Sequence, residues 1–158
     1  MRKALYLWLL LPSLACMGQK IGVVKGKDYQ ITYNTKTLKK AWQKILAEEK
    51  ITSNLKTFRI VAIKNKETGK TSYLLLALSE RKGLKMAKPL ELRKDGFYSK
   101  ASQNGNTTNS ITDNLVICQG CIEGCEPQVD ADGNLNCSPC HTKEKCTKTE
   151  RVESKGKL

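Results

Sequence analysis

The stretch CQGCIEGCEPQVDADGNLNCSPCHTKEKC, residues 118–146, carries six of the seven cysteines of the 158-residue chain and its only histidine, His141. Segments shorter than about 40 residues rarely bury enough apolar surface to fold without covalent or metal cross-links. Sulfur is therefore expected to hold this segment together. The compartment in which the chain matures decides between disulfides and metal ligation.

The N-terminus indicates export from the cytoplasm. Arg2 and Lys3 precede an apolar run over residues 4–15, which is shorter than the roughly 20 residues that span a bilayer as a helix. This pattern is typical of a secretory signal peptide. We assign residues 1–18 to the signal and expect a periplasmic or secreted protein.

A second processing route stays open at Cys16. The segment Ser13-Leu14-Ala15-Cys16 resembles a bacterial lipobox, although leucine is expected where Ser13 stands. Cleavage before Cys16 would leave a lipoprotein anchored through that cysteine, and a membrane is an expected partner only in that case. Either cleavage leaves six cysteines in the mature fold.

Disulfides are the predicted role of these six cysteines, because small exported segments with even cysteine counts are normally cross-linked. Six cysteines allow 15 pairings, and the spacing does not choose among them. We expect no cofactor. The predicted disulfide residues are Cys118, Cys121, Cys125, Cys137, Cys140 and Cys146.

The same residues permit three other kinds of site. Cys137, Cys140 and His141 match the C-x-x-C-H pattern of c-type haem attachment, in which two thiols bond the porphyrin and histidine ligates iron. Cys118, Cys121, Cys137 and Cys140 have the spacing of a four-cysteine zinc ribbon. Each C-x-x-C pair also matches a redox motif, although neither opens an amphipathic helix.

The segment resembles the C-terminal part of small exported bacterial proteins. They share C-x-x-C-x-x-x-C, a turn containing glycine, C-x-x-C, and then C-T-K-T. Here these residues are 118–125, Gly133, 137–140 and 146–149. The resemblance covers about 30 residues and names no family. It implies a structural disulfide knot and no activity.

A helix and a set of strands are predicted upstream. Tyr29 to Tyr33 alternates as a half-buried strand does, and Asn34 or Thr35 can cap a helix over 36–49. The apolar residues of that helix share one face, and Trp42 is the expected core anchor. The residues of this face are Leu38, Ala41, Trp42, Ile45 and Leu46.

A β-meander follows the helix. Residues 57–64 and 72–79 form a hairpin around the glycine-containing turn at 67–70. The unbroken apolar run at 74–78 predicts a strand covered on both faces. A strand over 84–93 ends at Asp95-Gly96, a strong hairpin signal, and Pro89 places this strand at an edge. Residues 111–117 return as the last strand.

The predicted fold is therefore α+β: one amphipathic helix on an antiparallel meander, followed by a small disulfide-rich module. The outline resembles cystatin-type folds, an analogy that carries no function. The predicted domains are a signal at 1–18, a basic α+β domain at 19–117, a cysteine-rich module at 118–146 and a basic flexible tail at 147–158.

Charge divides the chain in the same way. Residues 19–100 contain 20 basic and seven acidic residues, whereas residues 101–140 contain five acidic residues and no lysine or arginine. A basic surface attracts polyanions. Lysine far outnumbers arginine, and aromatic residues are few, so specific nucleic-acid binding is not expected.

The expected function is that of an exported, non-enzymatic binding or structural protein, with a polyanionic surface or another exported protein as its partner. The basic domain lacks histidine, and its carboxylates are scattered, whereas catalysis needs a base, nucleophile or metal in a pocket. Two alternatives stay open. One is electron transfer through haem at Cys137, Cys140 and His141. The other is inhibition of exported peptidases, with Lys82-Gly83-Leu84 as the candidate wedge.

Overall fold

The computed structural model describes residues 18–99, 114–121, 124–141 and 145–151. Residues 1–17 of the predicted signal (1–18), including the lipidation site Cys16, lie outside these ranges, and so do residues 152–158 of the predicted tail. The elements are β1 Lys20–Lys25, β2 Asp28–Ile31, α1 Thr35–Glu48, β3 Leu55–Lys64, β4 Thr71–Ser79, β5 Leu84–Arg93, β6 Gly96–Ser99, β7 Leu115–Gln119, β8 Pro127–Val129, β9 Leu135–Cys137 and β10 Thr147–Arg151.

Eight of these strands form one antiparallel sheet within the described residues, and β8 and β9 form a separate hairpin. Strand β5 is at the centre. It pairs with β4 along one edge, and with both β7 and β6 along the other. From there the sheet continues through β4 to β3, through β6 to β1 and β2, and through β7 to β10. The α+β prediction is confirmed.

The prediction that Pro89 places its strand at an edge is wrong. Pro89 faces Leu74 of β4, and on the other edge it falls between the residues that pair with β7 (84–87) and those that pair with β6 (90–93). A proline cannot donate a hydrogen bond to a sheet ladder. The gap between β7 and β6 removes the need for that donor, so a central strand accommodates the proline.

Helix α1 begins and ends through local hydrogen bonds. The side chain of Asn34 accepts hydrogen bonds from the backbone N–H groups of Lys36 at 2.9 Å and Thr37 at 3.2 Å, as an N-cap residue does. The helix ends after Glu48, where Lys50 takes a left-handed conformation with φ of 57°. The predicted helix over 36–49 is therefore shifted by one residue.

The helix packs on one face of the sheet, and together they form the inner core. Trp42 is fully buried there, and its ring meets that of Phe58 edge-on at 5.3 Å between centroids. This burial confirms Trp42 as a core anchor. The inner core consists mainly of Ile21, Leu38, Trp42, Ile45, Leu46, Leu55, Ile60, Leu75, Ala77, Leu84, Met86, Leu90, Phe97, Leu115 and Ile117.

The opposite face of the sheet carries a second, outer core beneath the cysteine-rich module. Leu74 and Leu76 point outward into it, whereas Leu75 and Ala77 of the same strand point into the inner core. The unbroken apolar run of β4 therefore follows from burial on both faces, as predicted. The outer core consists of Leu74, Leu76, Ala87, Val116, Cys118, Cys121, Cys125 and Leu135.

The chain continues past the module as part of the sheet. Strand β10 pairs with β7 from Thr147 opposite Gln119 to Arg151 opposite Leu115, so β7 is not the last strand. Residues 147–151, which the sequence analysis assigns to a flexible tail, form an edge strand. Their sequence Thr-Lys-Thr-Glu-Arg has no apolar alternation, and backbone pairing with β7 holds it in place.

Candidate functional site

All six cysteines predicted to form disulfides are paired. The bridges are Cys118–Cys137, Cys121–Cys140 and Cys125–Cys146, with Cα–Cα distances of 5.6, 5.6 and 5.9 Å. In sequence order the first cysteine pairs with the fourth, the second with the fifth and the third with the sixth. The structure thus selects one of the pairings that the sequence leaves open.

The first two bridges join the two C-x-x-C segments side by side. Each bridge links residues that are 19 apart in sequence, so residues 118–121 and 137–140 run in the same direction and are cross-linked at both ends. Neither segment forms a bridge within itself. The redox interpretation of either C-x-x-C pair therefore has no internal disulfide to support it.

The haem and zinc alternatives require free thiols at these positions. Cys137 and Cys140 are bonded to Cys118 and Cys121, so neither sulfur is free to bond a porphyrin, and His141 is exposed beside them. The zinc set consists of the same four bonded sulfurs. The sulfurs of Cys121, Cys125 and Cys140 lie within 4.8 Å of one another because two bridges stack. Disulfide sulfurs are not the thiolates that bind zinc.

Polar contacts fix the module to the sheet. Lys85 of β5 forms an ion pair with Glu126, and the Asn65 side chain donates to the carbonyl of Val129 at 3.0 Å. At the turn between β8 and β9, Asp130 accepts hydrogen bonds from the Asn134 N–H at 2.8 Å and the Asn136 amide at 2.7 Å. The Asn134 N–H is the main cause of the lowered pKa of Asp130. The module and the sheet are thus packed together.

The candidate inhibitory wedge at 82–84 is not an exposed apolar protrusion. Leu84 is 2% exposed and belongs to the inner core. Gly83 is buried, with φ of 83°, against the backbone of Gly120 and Cys121. Only Lys82 of these three residues is exposed. The segment therefore supports the module and offers no apolar contact to a peptidase.

A charged cluster holds the β5–β6 hairpin against β1. Asp95 accepts hydrogen bonds from Lys20 at 2.8 Å and from the Tyr98 hydroxyl at 2.6 Å. These bonds, first that of Lys20 and then that of Tyr98, lower the pKa of Asp95 to about 2. Arg93 lies over the Tyr98 ring at 4.5 Å and pairs with Glu91 at 2.7 Å. The carboxylates of Asp95 and Glu91 both form ion pairs within this cluster.

Helix α1 separates its charges. The exposed lysines Lys36, Lys40 and Lys44 recur at every fourth residue, so they form one line along the face opposite the buried residues. We name this line the lysine stripe. Lys39 is also exposed but lies to one side. Among the described residues, no carboxylate lies within 4.0 Å of Lys36, Lys39 or Lys40, and Lys44 has a distant contact of 3.9 Å with Glu48.

The acidic residues of α1 and its C-cap lie at the opposite end and have an arginine partner. Arg151 of β10 contacts the Glu48 carboxylate and lies 4.0 Å from that of Glu49. The first turn has no acidic residue, and the last turn has no basic one. This arrangement opposes the helix dipole, which favours acids at the N-terminus and bases at the C-terminus. Favourable interaction with the helix dipole therefore does not explain where these lysines lie.

A shallow groove of about 280 Å³ runs between the ends of β4 and β5 and the β8–β9 turn. Ser72, Pro89 and Val129 contribute to its lining, and Lys70 and Glu91 are its charged residues. An active-site cleft normally brings several polar groups together. The described lining of this groove combines one cation and one anion with Thr71, Ser72 and Tyr73.

Sequence patterns identified the cysteines but not the lysine stripe. The spacing of Lys36, Lys40 and Lys44 is visible once the buried face of α1 is known, yet the pairing of Glu48 and Glu49 with Arg151 depends on β10. The number of basic residues in the sequence also overstates the exposed positive charge. Lys88, for example, is fully buried in β5 and has a partner within the chain. Basic residues of the sequence therefore do not all belong to the basic surface.

Comparisons with protein-family models, curated proteins and solved structures find no match to this chain. No helix in the described ranges is both long and apolar enough to cross a membrane. The three disulfides are typical of proteins that mature in an oxidising compartment outside the cytoplasm. Fold and disulfides thus define a disulfide-stabilised α+β protein of an extracellular type.

Proposed function

We propose that the chain is an exported, non-enzymatic binding protein that takes an anionic ligand on its basic surface. The main observation behind this proposal is the separation of exposed lysines from paired carboxylates on α1. The lysine stripe is exposed, and among the described residues its nearest carboxylate contact is that of Lys44 with Glu48 at 3.9 Å, whereas Glu48 and Glu49 are held by Arg151 at the helix C-terminus. Clustered unpaired cations raise the local concentration of anions and accelerate their association.

The state of the reactive side chains supports a binding role over catalysis. The six cysteines of the module are bonded in pairs, and His141 is exposed on the module. Four carboxylates of the basic domain are engaged in ion pairs, namely Glu48, Glu49, Glu91 and Asp95. Groups in these states do not form a nucleophile and base within a pocket.

The rigid setting of α1 supports the same role. The helix packs over the inner core, and the module covers the other face of the sheet. Each bridge of a small exported protein typically contributes about 2–4 kcal/mol to stability. A helix held on such a support presents its lysines without ordering a new segment, which lowers the entropic cost of binding.

Export through the N-terminal signal completes the proposal. Cleavage after Gly18 would leave Gln19 as the first residue, one position before β1. The Gln19 carbonyl accepts a hydrogen bond from Ser99 N–H at 2.9 Å, so the fold begins at once. The intact mass of the exported protein distinguishes this product from one lipidated at Cys16. The lipidated product would carry the added mass of the lipid and would keep residues Cys16, Met17 and Gly18.

Retention on immobilised heparin tests the binding role. The α1 variant carries Lys36→Gln, Lys40→Gln and Lys44→Gln. The matched control carries Lys56→Gln, Lys66→Gln and Lys94→Gln, which are exposed lysines outside α1. We expect the α1 variant to elute at clearly lower salt than the control. Equal elution of the two variants would show that net charge alone causes retention and would contradict the proposal.

A further inference from the structure

We infer that the ligand is a linear acidic polysaccharide that lies along the axis of α1 on the lysine stripe; this inference rests on the proposed function. Lys36, Lys40 and Lys44 are spaced by four residues, and a helix rises 1.5 Å per residue. The stripe therefore extends about 12 Å along the helix, in a row inclined by about 26° to its axis. Such a row of cations matches a chain that carries anionic groups at intervals along its length.

The residue types on α1 favour a polysaccharide over nucleic acid. Proteins that bind single-stranded nucleic acid stack bases on exposed aromatic rings, and the exposed face of α1 has none; its only aromatic residue, Trp42, is fully buried. Arginine provides the planar fork that suits paired contacts to phosphate, whereas lysine is a hydrated point charge. The stripe contains lysine alone.

The same face does not suit insertion into a lipid surface. Amphipathic helices that bind membranes place large apolar side chains beside their basic residues. The exposed positions of α1 include Thr35, Thr37 and Ala47 among the lysines. The two exposed large apolar side chains of the described residues, Val24 and Leu92, belong to β1 and β5. Hydroxyl groups beside lysines are instead suited to hydrogen bonds with sugars.

Four single variants in one helix test the axial geometry, with alginate, a linear uronic acid polymer, as the probe and neutral dextran as the blank. We expect Lys36→Gln, Lys40→Gln and Lys44→Gln each to weaken alginate binding about fivefold, the effect of one basic side chain near a polyanion. Lys39→Gln removes the same charge, but its side chain leaves the helix about 100° around the axis from that of Lys40. It therefore points away from a chain that lies on the stripe, and we expect a change of less than about twofold.

Two further measurements vary the length of the alginate chain and the class of anionic ligand. Binding should strengthen with the length of alginate oligomers and level off once they cover the stripe. A thymidine oligonucleotide of matched charge, and vesicles of phosphatidylglycerol with phosphatidylcholine, should bind more weakly than alginate. Tighter binding of the oligonucleotide or the vesicles would overturn the inference, and so would an equal loss in Lys39→Gln.

These outcomes separate the inference from the proposed function. If alginate binding falls equally in all four variants while heparin retention still depends on α1, the axial arrangement is wrong and the anion-binding role stands. If the protein binds no anionic probe, both fail. Circular dichroism of each variant would establish that α1 remains folded, because glutamine and lysine have similar helix propensities.

Discussion

Gly83 lies directly beneath the carbonyl oxygen of Cys121, and a Cβ atom at residue 83 would lie 2.5 Å from that oxygen. The Gly83 carbonyl in turn accepts a hydrogen bond from Gly120 N–H at 3.2 Å. The turn between β4 and β5 therefore touches the first C-x-x-C segment through backbone alone. Close packing of the module on the sheet depends on a residue without a side chain.

We expect Gly83→Ala to destabilise the protein by about 2–5 kcal/mol. The left-handed φ costs about 1–2 kcal/mol in a residue with a Cβ, and overpacking adds about 1–3 kcal/mol. Gly133→Ala is the control, because Gly133 has φ of 88° but no atom within 4 Å of a new Cβ. Gly133→Ala should lose only the stability that corresponds to the left-handed φ, about 1–2 kcal/mol. Urea unfolding measures both, and equal losses would exclude the contact with Cys121 as a cause.

Arg151→Met tests the connection between β10 and the end of α1. We expect a loss of about 1 kcal/mol, because the partners are partly exposed and such pairs contribute little each. Among the described residues, Glu49 would then have no cation within 4.0 Å and Glu48 would keep only its 3.9 Å contact with Lys44, at a helix C-terminus whose dipole disfavours both carboxylates.

A double-mutant cycle with Glu48→Gln and Glu49→Gln isolates this coupling. The effect of Arg151→Met should shrink in the background that lacks both carboxylates. It should also shrink at high salt, because ions screen exposed charges. An unchanged effect in that background would mean that Arg151 acts through the pairing of β10 with β7 alone. Urea midpoints at two salt concentrations provide the measurement.

Asp95 should make stability depend on pH in the acid range. Its pKa is lowered from 3.8 to about 2 in the folded protein, so the folded state favours the charged carboxylate. This contribution is fully present above the unfolded pKa and is lost as pH falls through the folded pKa. We expect wild type to lose more stability than Asp95→Asn between about pH 4 and pH 2, measured by urea midpoints. Parallel pH profiles would rule out this role.

Thiol alkylation should report no free sulfur among the six module cysteines until the protein is reduced. Mapping the bridges needs a particular design, because no lysine or arginine occurs from residue 101 to residue 140. Trypsin therefore leaves five of these cysteines in one peptide, joined to the Cys146 peptide by the third bridge. Stepwise partial reduction with alkylation resolves the rest. Release of the Cys146 peptide together with alkylated Cys137 would contradict the pairing seen here.

Local sequence patterns predict a large part of this fold. The apolar spacing from Leu38 to Leu46 gives α1 to within one residue, because burial of one face is a property of the helix itself. Asp95-Gly96 gives the β5–β6 hairpin through its turn chemistry. The run at 74–78 predicts a strand buried on both faces. In the structure the helix covers one of these faces and the cysteine-rich module covers the other.

Other features depend on contacts between distant residues, and no local pattern contains them. The position of Pro89 in a central strand depends on where β6 ends and β7 begins. Strand β10 has no apolar alternation, and its partner β7 is separated from it by the whole module. The choice among 15 pairings depends on which sulfurs the folded chain brings together. The pairing of Glu48 and Glu49 with Arg151 became visible only when β10 was placed beside the end of α1.

The interleaved order of the three bridges has a consequence for the lifetime of the chain. Any single cut in the backbone between Cys118 and Cys146 leaves both fragments joined by at least one disulfide. A nicked molecule would therefore keep the mass of the whole protein, plus one water, until it is reduced. The cysteine-rich region can thus suffer one backbone break and remain one covalent unit.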